Sequence, residues 1–414
     1  MIDSLRSALL APALLLTLAA PSSTVDDEIA KGDRRKIVKA IAEYFEADDE
    51  DRLEAQEELA ELLSKIDEDL DSPVLAHVDD VQSMLLEARE RESRVDGKGS
   101  AEEVAINLGA LEAKAVVRAP KKYKPDEAYP LVLVIPDEGV TPEEALRLDW
   151  VQPEAVETAV FCAVMMPSDL SVWGSFGENN DGGVYPLMIS LGHMLNNYSI
   201  HPDRVILAAR GAGVAAAAEI AATLPDRFAA VVGVAGDLGE TPIYNFGAIS
   251  TLWIGGGPRV TEFDEAARKA GRENVRVEPN LEPDEIWTWV SEQRRNAHPL
   301  EVTFRPRAAQ ARDAYWLSVD GLDETVEGAG VAASIDRDAN TISIDGKGIN
   351  KVTLLFNDAL VDLSRPVKVV INGVENERSL TRGLKFMLER VKRAGDPRRI
   401  YVTSGSYDVA AASE

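Results

Sequence analysis

Covalent or acid–base chemistry needs a side chain that can attack, move a proton or hold a charge, and this 414-residue chain places few of them together. The stretch HPDRVILAARGAGVAAAAEIAATLPDRFAAVVGVAG, His201 to Gly236, reads as a strand, a tight glycine turn, a helix and a second strand. Such a turn can present a reactive group above a strand end, at a helix N-terminus where free N–H groups favour an anion. Its centre is Arg210-Gly211-Ala212-Gly213, with no hydroxyl, thiol or imidazole. Arg210 alone carries chemistry there. Its guanidinium could bind the carboxylate of a ligand, or pair with Asp137, Glu138 or Asp237 and fill the pocket from within.

Those three carboxylates fall near strand ends, where a pair could do acid–base work. Carboxylates at strand ends serve equally as helix caps and solvated loop residues. The loop PSDLSVWGSFGENNDGGVYP, Pro167 to Pro186, is long and glycine-rich, with Trp173, Phe176 and Tyr185. Loops of this kind over a sheet line sites, or are surface loops anchored by their aromatics. Trp173 is therefore a possible binding residue beside Arg210, Asp137, Glu138 and Asp237.

Other patterns exclude more than they offer. WIGGGP, Trp253 to Pro258, lacks the Walker lysine and the GxGxxG spacing, so no nucleotide site is expected. The acidic run EADDEDRLEAQEE, Glu46 to Glu58, lacks the glycine and ligand spacing of a calcium loop. HExxH and CxxC are absent, and neither a metal nor a cofactor is expected. Cys162, the single cysteine, lies in the apolar run TAVFCAVMM and reads as an inert thiol on a buried strand. A net charge of −27 argues against binding nucleic acid or an anionic membrane through bulk electrostatics.

The N-terminus has Arg6, an apolar run from Ala8 to Leu18 and then small residues. This is the layout of a secretory signal peptide over residues 1–19, cleaved after Ala19 because Pro21 blocks the next bond, or else a retained anchor helix. Export to a bacterial periplasm or beyond is the expectation, and the run is too short to span a bilayer. Residues 25–98 carry apolar residues at helical spacing between acidic positions, for two or three helices. After a linker at Asp96–Ser100, residues 105–297 alternate apolar runs with helical stretches, predicting an α/β domain with a mostly parallel sheet. Residues 299–414 alternate instead and carry Asn-Gly and Asp-Gly turns, predicting a β-rich module with one helix near Ser379–Ala394.

Four pieces of the middle segment resemble the α/β-hydrolase superfamily, in particular secreted esterases, polyhydroxybutyrate-depolymerase-like proteins and prolyl-oligopeptidase-type domains. VRAPKKYKPDEAYPLVLVIPDEG is similar to the strands leading into the family's oxyanion loop, and YSIHPDRVILAARGAG to its nucleophile strand and elbow. LPDRFAAVVGVAG and DEIWTWVSEQRRN look like the following strand and the closing helix. The likeness covers about Gly109 to Asn296, and implies a Ser/His/acid triad that this chain lacks. Gly211 stands at the serine position, Gly255-Gly256-Gly257 at the acid position, and Asn280 is the nearest polar residue at the base position. The oxyanion loop reads Pro136-Asp137-Glu138-Gly139, with two carboxylates where an oxyanion would form. None of His77, His193, His201 and His298 falls at the base position. The expectation is a catalytically silent hydrolase fold, a pseudoenzyme that acts by binding a ligand or protein partner or structurally. The alternative is an active ester or peptide hydrolase with relocated residues, for which Ser168 and Ser175 are the first suspects.

Overall fold

The computed structural model describes residues 29–89, 95–108, 111–147, 154–241, 243–323 and 325–409. The expected signal peptide lies outside them. Three helices come first, α1 (Lys31–Glu46), α2 (Arg52–Asp67) and α3 (Val78–Glu87). Each buries a stripe at helical spacing, such as Ile37, Ile41 and Tyr44 of α1, and leaves its charges in water. The Asp96–Ser100 block is no free tether: Gly99 N–H donates to Ala119 O and Ala119 N–H to Gly97 O, tying it to the chain just beyond the second strand of the sheet.

The α/β part follows as β1 (Glu102–Leu108), β2 (Leu111–Arg118), β3 (Tyr129–Ile135), α4 (Pro142–Ala145), α5 (Ala155–Thr158), β4 (Val160–Val164), α6 (Val184–Asn197) and β5 (Ile200–Arg210). It continues with α7 (Gly213–Thr223), β6 (Ala230–Val234), β7 (Ser250–Ile254), α8 (Pro258–Lys269), β8 (Val275–Glu278) and α9 (Pro283–Glu292). Among the described residues these strands form one eight-stranded sheet, in the order β1-β2-β4-β3-β5-β6-β7-β8. β1, β2 and β4 pair antiparallel, and every pair from β4 to β8 is parallel. The unbroken apolar runs are explained by two covered faces. Leu131, Leu133 and Ile135 of β3 point into a core with α6, α7 and α8, while Val132 and Val134 point into another with α4, α5 and α9. Five of the nine buried positions of α7, GVAAAAEIAAT, are alanine, which favours helix and lets it lie close on the sheet.

The rest is β-rich: β9 (Glu301–Phe304), β10 (Asp313–Ala314), β11 (Leu317–Leu322), β12 (Gly330–Asp336), β13 (Thr341–Lys347), β14 (Ile349–Phe356), β15 (Val367–Ile371), β16 (Val374–Arg378), α10 (Leu384–Ala394) and β17 (Thr403–Asp408). Sheets β10-β11-β14-β17 and β16-β15-β13-β12-β9 enclose Trp316, Phe304 and Phe356. The N-terminal helices bury their stripes in this same core, against Met387, Leu388 and Val391 of α10, rather than on the α/β sheet.

A buried ionic joint ties the two halves. Arg295, just past α9, donates to Asp203 Oδ1 at 2.7 and 3.0 Å, to Asp396 Oδ2 at 2.7 Å and to the Asp226 carbonyl at 2.8 Å. Arg398 reaches Asp203 Oδ2 at 2.6 Å, and Arg399 pairs with Asp226. Burial alone would lower the Arg295 pKa, but the charges of Asp396 and Asp203 outweigh it and raise it. Burial likewise opposes the charged form of Asp396, yet Arg295 holds that carboxyl below its usual range.

Candidate functional site

Four loops leave the carboxyl edge of the sheet side by side, after β3, β5, β6 and β7. The last three turn through left-handed residues: Gly211 at φ +54°, Ala235 at +53° and Gly255 at +61°. Their amides continue the ladder, with Gly211 N–H to Val234 O, Ala235 N–H to Ile254 O and Gly255 N–H to Glu278 O. The chain thus reverses at one level on each strand, and the loops converge. A Cβ on Gly236 would strike Gly211 O, and one on Gly256 would come within 2.5 Å of Gly236 O. Glycine is required at these two places because a neighbouring backbone occupies the space.

β5, Gly211 and α7 form the strand, tight turn and helix of a nucleophile elbow. In that geometry the attacking side chain stands on the turn residue. The oxyanion donors are the next residue's N–H and an N–H from the loop after β3. Here those positions are Ala212 and the Pro136–Val140 loop. Ala212 N–H donates to Asp137 Oδ1 at 2.7 Å, and Glu138 N–H donates to the same oxygen at 2.8 Å. The sheet, its helices on both faces and this elbow decide the fold. It is an α/β-hydrolase fold.

The comparisons with known proteins add little beyond it. No family model matches the chain, and no curated protein matches its sequence. Among solved structures, a thermostable esterase aligns at 18% identity over 48% of this chain and 64% of its own, with a TM-score of 0.38. An acylaminoacyl peptidase bound to a chloromethyl ketone aligns at 12% over 48% of this chain and 42% of its own, TM-score 0.36. The S-formylglutathione hydrolase of Staphylococcus aureus aligns at 10% over 46% and 98%, TM-score 0.36. The chain therefore spans less than two thirds of the first two. At these identities and scores no residue role is carried across.

In this hydrolase fold the carboxylate of Asp137 lies where a nucleophile would stand. A Cβ built on Gly211 would fall on its Oδ2, Cγ and Oδ1, all well inside the 3.0 Å that real Cβ contacts respect. Asp237, after β6, is capped by Leu238 N–H at 2.9 Å, and a Cβ on Gly257 would strike its carboxylate. Arg210 ends β5 opposite Val234 and is exposed. Asp137, one of the three carboxylates that could pair with it, is bound by two backbone amides. Trp173 is only 7% exposed, and its indole N–H donates to Pro167 O at 2.7 Å, closing the loop that follows β4.

The histidines stand apart from this edge. His201 begins β5, at the far end of the strand from Gly211, and accepts from Asp203 N–H. His193 on α6 meets Asn197 at 3.1 Å. Burial lowers the pKa of both. His298 packs on Tyr401, with Nε2 2.9 Å from Asn357 Nδ2, and burial pulls it to about 4. His77 lies 3.3 Å from Ser72 O, between α2 and α3. Burial pushes the Cys162 thiol up to about 12, so it is not a thiolate near neutrality. Among the described residues, no three His, Cys, Asp or Glu side chains are grouped to hold a metal ion, and no helix is long and apolar enough to cross a membrane.

Residues that sequence reasoning missed line a cleft of about 330 Å³ beside Asp137, between the loop after β3 and the loop after β4. Val140, Met165 and Leu170 stand on it and are each more than a third exposed. Single apolar residues in loops give no periodic signal, so only the folded arrangement reveals them as a group.

Proposed function

We propose that this chain is a pseudohydrolase, a hydrolase-fold protein that works by binding a ligand or protein partner rather than by turning over substrate. The observation that carries the reading is the Asp137 carboxylate, held on the two N–H groups that would otherwise stabilise an oxyanion. An anion is already seated there, the nucleophile position has no side chain, and each histidine is engaged elsewhere. Ser168 and Ser175 do not favour the active alternative. Ser168 is an exposed residue of the cleft wall, and Ser175 Oγ is used locally, donating to Val172 O at 3.2 Å and accepting from Gly177 N–H at 3.1 Å. The proposal includes export, on the N-terminal sequence pattern. It excludes nucleic acid as partner, on the net charge of −27.

The test is incubation of the purified chain with p-nitrophenyl acetate and butyrate and with a fluorophosphonate probe. Release at the buffer rate and no labelled serine are expected. Stoichiometric labelling of any serine, or saturable ester turnover, overturns the reading.

A further inference from the structure

The cleft beside Asp137 combines two features that single out one kind of occupant. The first is apolar. Among the described residues the large hydrophobic side chains left exposed are Leu53, Val140, Met165, Leu170, Leu300 and Val374, and three of these six meet on this cleft. Singly exposed apolar residues are ordinary, whereas several gathered on one concave surface mark a contact site. Trp173 forms part of its wall, with the indole N–H already satisfied by Pro167 O, so the ring offers an apolar surface. Met165 adds an unbranched, adaptable side chain.

The second feature is charge. The cleft is lined by Asp137 and Glu138 and by no lysine, arginine or histidine. Asp137 Oδ1 is engaged by two amides, while Glu138 is exposed on the rim. A carboxylate ligand or an anionic membrane surface is therefore repelled. A bare polyamine would leave the apolar wall in water. Met165, Met166 and Pro167 also line a second hollow of about 440 Å³, bordered by Glu112 and Asp181, where Lys114 is paired with Glu103 at 3.2 Å. Two adjoining hollows suit a chain segment better than one small molecule.

We propose that this cleft binds a basic, apolar peptide segment, seating a hydrophobic side chain on Val140, Met165, Leu170 and Trp173 with a neighbouring lysine or arginine against Glu138. The inference rests on the reading of the elbow as a binding site, and it names the partner class. The acidic surface of the whole chain would speed the encounter of such a segment and make it salt-dependent.

The experiment is fluorescence anisotropy on the full chain with a rhodamine-labelled, amidated Leu-Lys-Leu-Lys-Leu, alongside Leu-Glu-Leu-Glu-Leu and Ser-Lys-Ser-Lys-Ser. The wild type should bind the first at least about tenfold more tightly than either control. Leu170→Asp and Glu138→Lys should each weaken that binding by about tenfold or more, whereas Glu57→Lys on the exposed face of α2 should not. Both cleft residues are exposed, so melting temperatures should match the wild type; Met165→Asp replaces either variant that fails to fold. No binding of the leucine–lysine peptide, equal binding of the serine–lysine peptide, or binding that survives the cleft variants overturns the proposal. So does sedimentation of the chain with phosphatidylglycerol vesicles that Leu170→Asp abolishes. Ester turnover by the wild type would defeat the reading of the silent elbow and leave the peptide result standing on its own.

Discussion

The carboxylate of Asp137 and a side chain on Gly211 cannot coexist in the observed arrangement, because any Cβ on Gly211 would fall on the carboxylate itself. Gly211 also has φ +54°, a conformation that L side chains resist. The loop after β3 and the turn after β5 are therefore fitted to each other, and the fit depends on glycine at one position and a short acid at the other. A hydroxyl on Gly211 needs more than a base to become a nucleophile. It first needs the acid to leave.

Gly211→Ser should therefore be inactive and less stable than the wild type, by about 1–3 kcal/mol for overpacking. Adding Asp137→Ala should recover part of that loss, because the two sites share one space and their effects cannot add. Differential scanning calorimetry of both singles and the double mutant measures the coupling. Strictly additive shifts would show that the carboxylate moves aside at no cost.

Asp137→Ala alone should expose two backbone N–H groups, that of Ala212 at the start of α7 and that of Glu138 in the loop after β3. The loss of hydrogen bonds to a charged acceptor that is partly open to water should cost about 1–2 kcal/mol. Acetate or formate should then raise the melting temperature of the variant but not of the wild type, since the vacated donors can take an external anion. Equal responses of the two proteins to acetate would mean that the donors do not form a site.

Much of the architecture was legible because β3, β4, β6 and the second half of β5 are nearly unbroken apolar runs, and the alternation of strand and helix predicts a mostly parallel sheet. The glycine turn at Arg210-Gly211-Ala212-Gly213 was equally plain, since residues of that type have few other uses between a strand and a helix. The role of Asp137 was not. Its sequence neighbours mark it as a loop acid, and the Ala212 amide that binds it lies 75 positions away. Nor did the helical stripes of α1 to α3 reveal their partner. Hydrophobic periodicity identifies a face to be buried, and Ile41 or Leu59 would suit the α/β sheet as well as α10.

Arg295→Met should destabilise strongly, by about 3–5 kcal/mol, because Asp203 and Asp396 would keep their burial and lose their shared cation. The joint links β5 of the hydrolase-fold sheet to the segment after α10, so the variant should also separate the melting of the two parts. Arg295→Lys should recover only a fraction, since an ammonium cannot reach both carboxylates and the Asp226 carbonyl in the same fork. Calorimetry decides it: a single, sharp transition within 1 kcal/mol of the wild type, an amount at or below the ordinary cost of a point mutation, would show the joint to be dispensable.

His298 supplies a pH test with a definite sign. Its ring is enclosed by Tyr401, Asn357 and the Ile400 carbonyl, and burial lowers its pKa to about 4. The unfolded chain titrates near the ordinary histidine value of about 6.5. Between those two values the unfolded state holds a proton that the folded state does not, so stability is full above about pH 6.5 and falls as the pH drops toward 4. The loss has an upper limit of ~3 kcal/mol, reduced by the surface the residue keeps. His193 and His201, also lowered by burial, act in the same direction, while relief of the excess negative charge opposes them. The clean measurement is the difference in urea-unfolding free energy between the wild type and His298→Gln, taken from pH 7.5 to 4.5. Glutamine carries no proton to lose, so the wild type's advantage should shrink steadily below pH 6.5. A difference that stays constant across that range would mean the imidazole titrates alike in both states.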